Sequence, residues 1–299
     1  MFSYHAIVIN FIGVFFAIFS CFINIFNLKK LEKKKEDMVL FYFRFILDAF
    51  FGATILFFFA ITISSNFSGE KIFNSIIFLS GFFSSLVGRA RVAVTLMISV
   101  ERVMAVFTPV FYRHYRPLIS NSAILSLIIG YGLFDYLIMY FFCDFEFVIP
   151  TSCVTLTCSM NLCSSQYWAT SKSVIIWLTF FFAIILSMKL LWKVIKEKNK
   201  DLNKARTKAN RLALIDTAII FLFDILSNIV IHYVSREDVF NLQNGGPILA
   251  VLRQLGCVVD ALLVFRTITR KVKVVNAAKT SKNNMIVGHE KGHNKQPTS

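Results

Sequence analysis

Nine ionisable side chains stand inside stretches of sequence that are otherwise apolar: Arg44 and Asp48, Arg89 and Arg91, Asp135, Asp216 and Asp224, and Arg253 and Asp260. A charge at the centre of a membrane-spanning helix costs about 2.5–3.5 kcal/mol on insertion scales. All nine facing lipid would cost on the order of 20 kcal/mol, so they are expected to face one another or a wet cavity. Arg44 and Asp48 are four residues apart on one helical face and can pair within their own segment. Arg253 and Asp260 are seven apart and share a face, with Cys257 between them. Ser84, Gly88, Arg91, Thr95 and Arg102 recur at the helical period and form one polar stripe. Arg89 falls about 160° away from Arg91 around that axis. Asp224, Asn228 and His232 make a second stripe at four-residue steps. Arg91 and Asp224 have two readings, as a structural ion pair between helices or as direct ligand contacts.

Other spacings suggest chemistry that their surroundings do not support equally. His289-Glu290-Lys291-Gly292-His293 satisfies H-E-x-x-H, the zinc metalloprotease pattern. That chemistry needs both histidines on one face of a rigid helix, whereas Gly288 and Gly292 interrupt a Lys/Asn/Gly-rich segment of disordered character. The match reads as accidental, and neither an enzyme nor a metal or other cofactor is expected. Cys143, Cys153, Cys158 and Cys163 cluster in about 30 residues. Disulfides are favoured over zinc there, because the spacing fits no common zinc pattern, and the pairing stays open among three possibilities. Cys21 and Cys257 read as small apolar residues. Glu101-Arg102, followed by Ala105 and Pro109, stands at a helix end, where taken alone it is a surface ion pair.

The elements that must position these residues are seven apolar stretches, each long enough to cross a bilayer, which takes about 20 residues as a helix. They run from His5 to Leu28, Met38 to Ile63, Ile76 to Val106, Asn121 to Phe142, Val174 to Leu191, Leu212 to Val234 and Pro247 to Phe265. The expected fold is an all-α membrane protein, a bundle of seven transmembrane helices. Composition agrees: 56% of residues are hydrophobic and 34 of 299 are Phe, more than one soluble core could hide. The mean hydropathy is +0.65. A net charge of +15 could suggest nucleic acid, but the charge sits in loops between spans, where it sets orientation and meets anionic lipid. Twenty-four Lys or Arg fall in the connections on one side, and only Lys71, Lys172 and Arg236 on the other. The amino terminus is therefore expected outside and the carboxyl terminus in the cytoplasm. A cleaved signal peptide fits the first stretch poorly, since no basic residue precedes it and it is too long. Asn66-Phe67-Ser68 is a glycosylation sequon in a loop assigned outside. Residues 1–265 form the expected seven-helix domain, and 266–299 a basic, disordered tail.

In third position of a seven-span chain, Glu101, Arg102, Ala105 and Pro109 resemble the D/E-R-Y…A…P element of rhodopsin-like receptors, with Val103 in place of the aromatic. In that family the Arg is held by its neighbouring acid when inactive and meets the G protein when the helices part. The resemblance narrows over residues 37–48, Ser99-Val100-Glu101-Arg102-Val103, Tyr112-Arg113-His114-Tyr115-Arg116, and the cysteine-rich run ending Gln166-Tyr167-Trp168-Ala169-Thr170-Ser171-Lys172-Ser173. There the chain resembles the nematode serpentine chemoreceptors, most nearly class BC. That likeness implies a multi-pass receptor of the plasma membrane of sensory neurons, responding to a small-molecule cue and coupling to a heterotrimeric G protein. Some general rhodopsin-like features are missing. Span three has no Cys at its outer end, span six lacks the proline of C-W-x-P, and Asp260-Ala261-Leu262-Leu263-Val264 stands where N-P-x-x-Y would be.

The expected function is a chemosensory receptor with a pocket in the outer half of the bundle. Its candidate residues are Arg91, Tyr136, Tyr140, Trp177, Asp224, Asn228 and His232, with the aromatic residues equally suited to an interfacial belt. Glu101, Arg102, Ala105 and Pro109 would serve coupling, and no nucleic-acid partner is expected. The rival reading is a transporter or ligand-gated channel using the buried charges, against which stands the absence of internal repeats and of paired Gly/Pro-broken helices.

Overall fold

The computed structural model describes residues 4–30, 39–68, 72–145, 161–196, 218–219, 222–223, 248 and 250–266. Among them all regular structure is helical: α1 (Tyr4–Lys30), α2 (Val39–Ser68), α3 (Ile72–Phe107), the short α4 (Pro109–Tyr115), a 3-10 turn (Arg116–Leu118), α5 (Asn121–Phe142) and α6 (Leu162–Lys196). Residues 250–266 form a further helical segment. The expectations for Asp216, Asp224, Asn228, His232, Cys153, Cys158 and the H-E-x-x-H segment lie outside the described residues, as does almost all of the tail.

Among the described residues, four helical stretches are long and apolar enough to span a bilayer: Ile7–Lys30, Val39–Ser64, Asn121–Phe142 and Leu162–Lys189. The 36 residues of α3 rise about 54 Å at 1.5 Å each, more than a bilayer core is thick. It ends where Pro109 enters the first turn of α4, since a proline there cannot continue the preceding helix. Ser120 caps α5, accepting from the Ser122 backbone N–H. Lys29 and Lys30 close α1, where cations suit the negative end of the helix dipole.

Charged and amide side chains are enclosed between the helices, and large apolar ones line the outside. Asn24, Asn27, Arg44, Asp48, Arg91 and Asp260 are buried, while Phe11, Phe15, Phe22 and Phe57 are exposed along the outer faces. That inversion suits lipid as the solvent. α3 packs against α2 on one side and α5 and α6 on the other, and α1 lies against α2. One apolar core joins Leu40, Phe41, Phe45, Val94, Ile98, Ile128 and Val264. Another joins Ala17, Phe51, Ile55, Phe59, Val87 and Cys257. At the α1–α2 contact, a Cβ on Gly13 would meet the Phe59 ring at 2.4 Å, so a larger residue there would force the helices apart.

Two boundaries and the burial of one arginine differ from expectation. α6 begins at Leu162, twelve residues before the expected start of span five, because Asn161 caps it by accepting from the Ser164 N–H at 2.8 Å. Lys172, assigned to an outer loop, is therefore a buried residue of a helix. α2 continues to Ser68 and carries the backbone of Asn66 in its last turn rather than in a loop. Arg89, placed off the inward face of α3, is as buried as Arg91. An amphipathic reading assumes one covered face, but α3 is central and is covered on both.

Candidate functional site

Four of the buried charges form one connected set. Arg44 Nη2 donates to Asp260 Oδ2 at 2.9 Å, joining α2 to the 250–266 helix. Arg44 Nε lies 3.6 Å from Asp48 Oδ2 on its own helix, and Arg91 Nε of α3 donates to Asp48 Oδ1. Two guanidiniums and two carboxylates sum to zero, which is the condition for keeping charge out of water. Arg44 and Asp48, expected to pair within their own segment, are thus neighbours on α2, and Asp260 pairs with Arg44. The Arg253 guanidinium lies over the Trp168 ring. Arg91, a ligand-pocket candidate, is a member of the ion-pair set.

A second group gathers at the disulfide end of the bundle. The guanidiniums of Arg253 and Arg89 lie 5.3 and 5.8 Å from the Trp168 ring centroid, and Lys172 Nζ lies 5.9 Å from it. Three helical segments thus send a cation to one indole. Trp168 Nε1 donates to Ser85 Oγ at 3.1 Å, and Arg89 Nη1 donates to Ser171 Oγ at 3.2 Å. Tyr131, Tyr136 and Tyr167 stand close enough to Arg89 to interact electrostatically. Tyr136 also donates to the Phe82 carbonyl at 2.9 Å, its ring 3.9 Å from that of Phe82. Tyr140 and Trp177 do not join this group: they are 65% and 54% exposed on the outer surface, as belt residues would be. A disulfide joins Cys143 and Cys163, holding the end of α5 to the start of α6. Asn161 Nδ2 adds a bond of 2.5 Å to the Cys143 carbonyl.

Sequence reasoning missed Trp168, Ser171 and Lys172 as site residues because it placed them in a loop. Their spacing of three and four is helical, and that was the available signal. Nothing local could have joined them to α3: Ser171 is 82 residues from Arg89 and Trp168 is 83 from Ser85.

The third group is at the opposite end of α3. Glu101 Oε1 accepts from Tyr112 Oη at 3.0 Å and from Arg116 Nε at 2.5 Å, so the carboxylate ties α3 to α4 and the turn after it. Arg116 also donates to Asn121 Oδ1 at 2.5 Å and to the Ile119 carbonyl at 3.1 Å. Partial burial pulls the Arg116 guanidinium down, but its bond to and charge interaction with Glu101 outweigh this and hold it above the ordinary arginine value. Arg102 is buried, 7% exposed, with its guanidinium 5.3 Å from the Phe41 ring of α2. Ala105 follows on α3, and Pro109 opens α4.

Long apolar helices with charges turned inward define a multi-pass membrane protein built as a bundle of spanning helices. The family model of the serpentine type 7TM GPCR chemoreceptor Srbc matches residues 2–272, and the chain belongs to this family of seven-helix receptors. No curated protein sequence matches the chain.

Proposed function

We propose that this chain is a G-protein-coupled chemosensory receptor of the plasma membrane, with its amino terminus outside and the Glu101–Arg102 end of α3 in the cytoplasm. The small-molecule cue binds at the disulfide end of the bundle, beside α3 and α6. Binding shifts an equilibrium between two arrangements of the helices at the cytoplasmic end. The observation that carries this reading is the state of that end. Arg102 is buried against α2, and Glu101 is bound by Tyr112 and Arg116. Exposing Arg102 to a partner requires the α2–α3 contact at Phe41 to loosen, which gives the G protein something to select.

The test is Arg102→Ala, read by cue-evoked second messenger and by surface labelling. Signalling is expected to be lost with surface expression largely intact, and a mutant that signals normally removes the role. The transporter or channel reading loses much of its support, because Arg44, Asp48, Arg91 and Asp260 are used in a neutral structural set. A cue-evoked current in membranes depleted of G protein would restore it.

A further inference from the structure

We propose that the outward face of α4 and of the turn after it is a docking surface for acidic phospholipid of the inner leaflet, with Arg113 as the headgroup contact. This inference rests on the orientation proposed above, which puts that end of α3 in the cytoplasm.

One side of α4 is fastened to α3. Tyr112 and Arg116 stand a helical turn apart, and both bond to Glu101. At 100° per residue Val110 falls about 160° around the axis from Tyr112, so it points away from that tie. No residue of α4 is buried. Val110 and Leu118 are 82% and 74% exposed, and Phe111, Tyr115 and Ile119 are exposed with them. Five large apolar side chains within the ten residues from Val110 to Ile119 make a patch that calls for a covering surface. The place of the segment in the chain says which. Asn121 opens α5, a helix long and apolar enough to span the bilayer, only two residues after Ile119. At the other end Phe107 closes α3. The connection is thus tethered to the membrane through the helices on either side, and lipid is the nearest apolar phase. Its charge favours an acidic surface. No Asp or Glu stands between Glu101 and Asp135, and Arg113 and His114 are exposed among the apolar side chains. Arg113 falls about 60° from Val110 around the axis. Cations set beside exposed apolar and aromatic residues are the pattern of a helix lying in the interface, and the cytoplasmic leaflet carries the matching negative charge. Lipid held there would steady α4 and, through Glu101, the end of α3 that carries Arg102.

The experiment uses the full chain in nanodiscs of phosphatidylcholine alone and of the same lipid with about a third phosphatidylserine. Backbone hydrogen exchange over Val110–Ile119 is followed by mass spectrometry. A benzophenone amino acid in place of Leu118 is then photolysed to capture what lies against it. Exchange is expected to slow about five-fold with phosphatidylserine, and the benzophenone to carry a phospholipid adduct. Arg113→Gln should abolish the slowing, and Arg113→Lys should keep it, because the headgroup needs only a positive charge. Val110→Gln combined with Leu118→Gln should speed exchange in both lipids. Equal exchange of the unaltered chain in the two lipids, a benzophenone that captures no lipid, or unchanged exchange in the double variant overturns the proposal. So does slowing that appears only when a G-protein heterotrimer is added, since the face would then belong to a protein partner. The two readings fail separately, because a nanodisc offers the same lipid to both ends of the bundle and needs no cue. A chain that passes this measurement but evokes no second messenger loses the receptor reading alone. One that signals, yet exchanges equally in both lipids, loses this inference alone.

Discussion

Asp48 serves two guanidiniums at once, Arg44 on its own helix and Arg91 on α3. Removing it leaves two buried guanidiniums sharing the one carboxylate of Asp260, which is bonded to Arg44, and breaking a buried pair from one side costs about 3–5 kcal/mol. Asp48→Ala should therefore lower the thermal unfolding temperature sharply and reduce surface expression. Replacing Arg44 and Asp260 together by Leu leaves Asp48 with Arg91, and this double variant should recover most of the stability that Asp260→Ala alone loses. A melting series in detergent compares them; equal losses for the single and double variants would argue against a coupled set. How much of this was legible follows from distance along the chain. Arg44–Asp48 could be read because four residues is one helical turn. The Arg91–Asp48 and Arg44–Asp260 bonds span 43 and 216 residues, and no period within one helix points to them.

Two ties act between elements. The first fastens α4 to α3 through Glu101, Tyr112 and Arg116. Because Arg116 is held above its ordinary value, its contribution is present at all pH below the unfolded arginine value and is lost only in strong alkali. Release by deprotonation of Arg116 is therefore excluded near neutrality. Arg116→Ala should speed backbone hydrogen exchange across Pro109–Tyr115 and raise cue-independent signalling, while exchange in α5 beyond its first turn stays unchanged. The second tie is Cys143–Cys163, whose sequence separation is 20. A closed loop of that size is worth about 3 kcal/mol in the chain-entropy account. Cys143→Ser should lower the melting temperature, and added reductant should then have no further effect if this is the bridge that matters. Element boundaries were legible where a proline or serine marks them, as at Pro109 and Ser120. The start of α6 was not, because Leu162 to Ser173 is too polar to read as a span, and only the Asn161 cap shows where the helix begins.

At the scale of the molecule, the apolar stretches and their inward charges were plain from the sequence, because lipid imposes one rule on every helix. Which face of α3 is buried was not, since a helix enclosed by neighbours has no free side for periodicity to report. Orientation is argued from the excess of lysine and arginine in alternate connections. An epitope at the amino terminus should be labelled on intact cells, and one at the carboxyl terminus only after permeabilisation; both on one face would remove the receptor reading.

The Arg44–Asp48 contact has a consequence for how the chain is made. At about 5–20 residues per second, the ribosome needs on the order of 10–40 s to travel the 216 residues separating Arg44 from Asp260. During that interval α2 must already be lodged in the membrane without its final companion. Asp48, one turn away on the same helix, is a carboxylate within reach of Arg44 before Asp260 has been made.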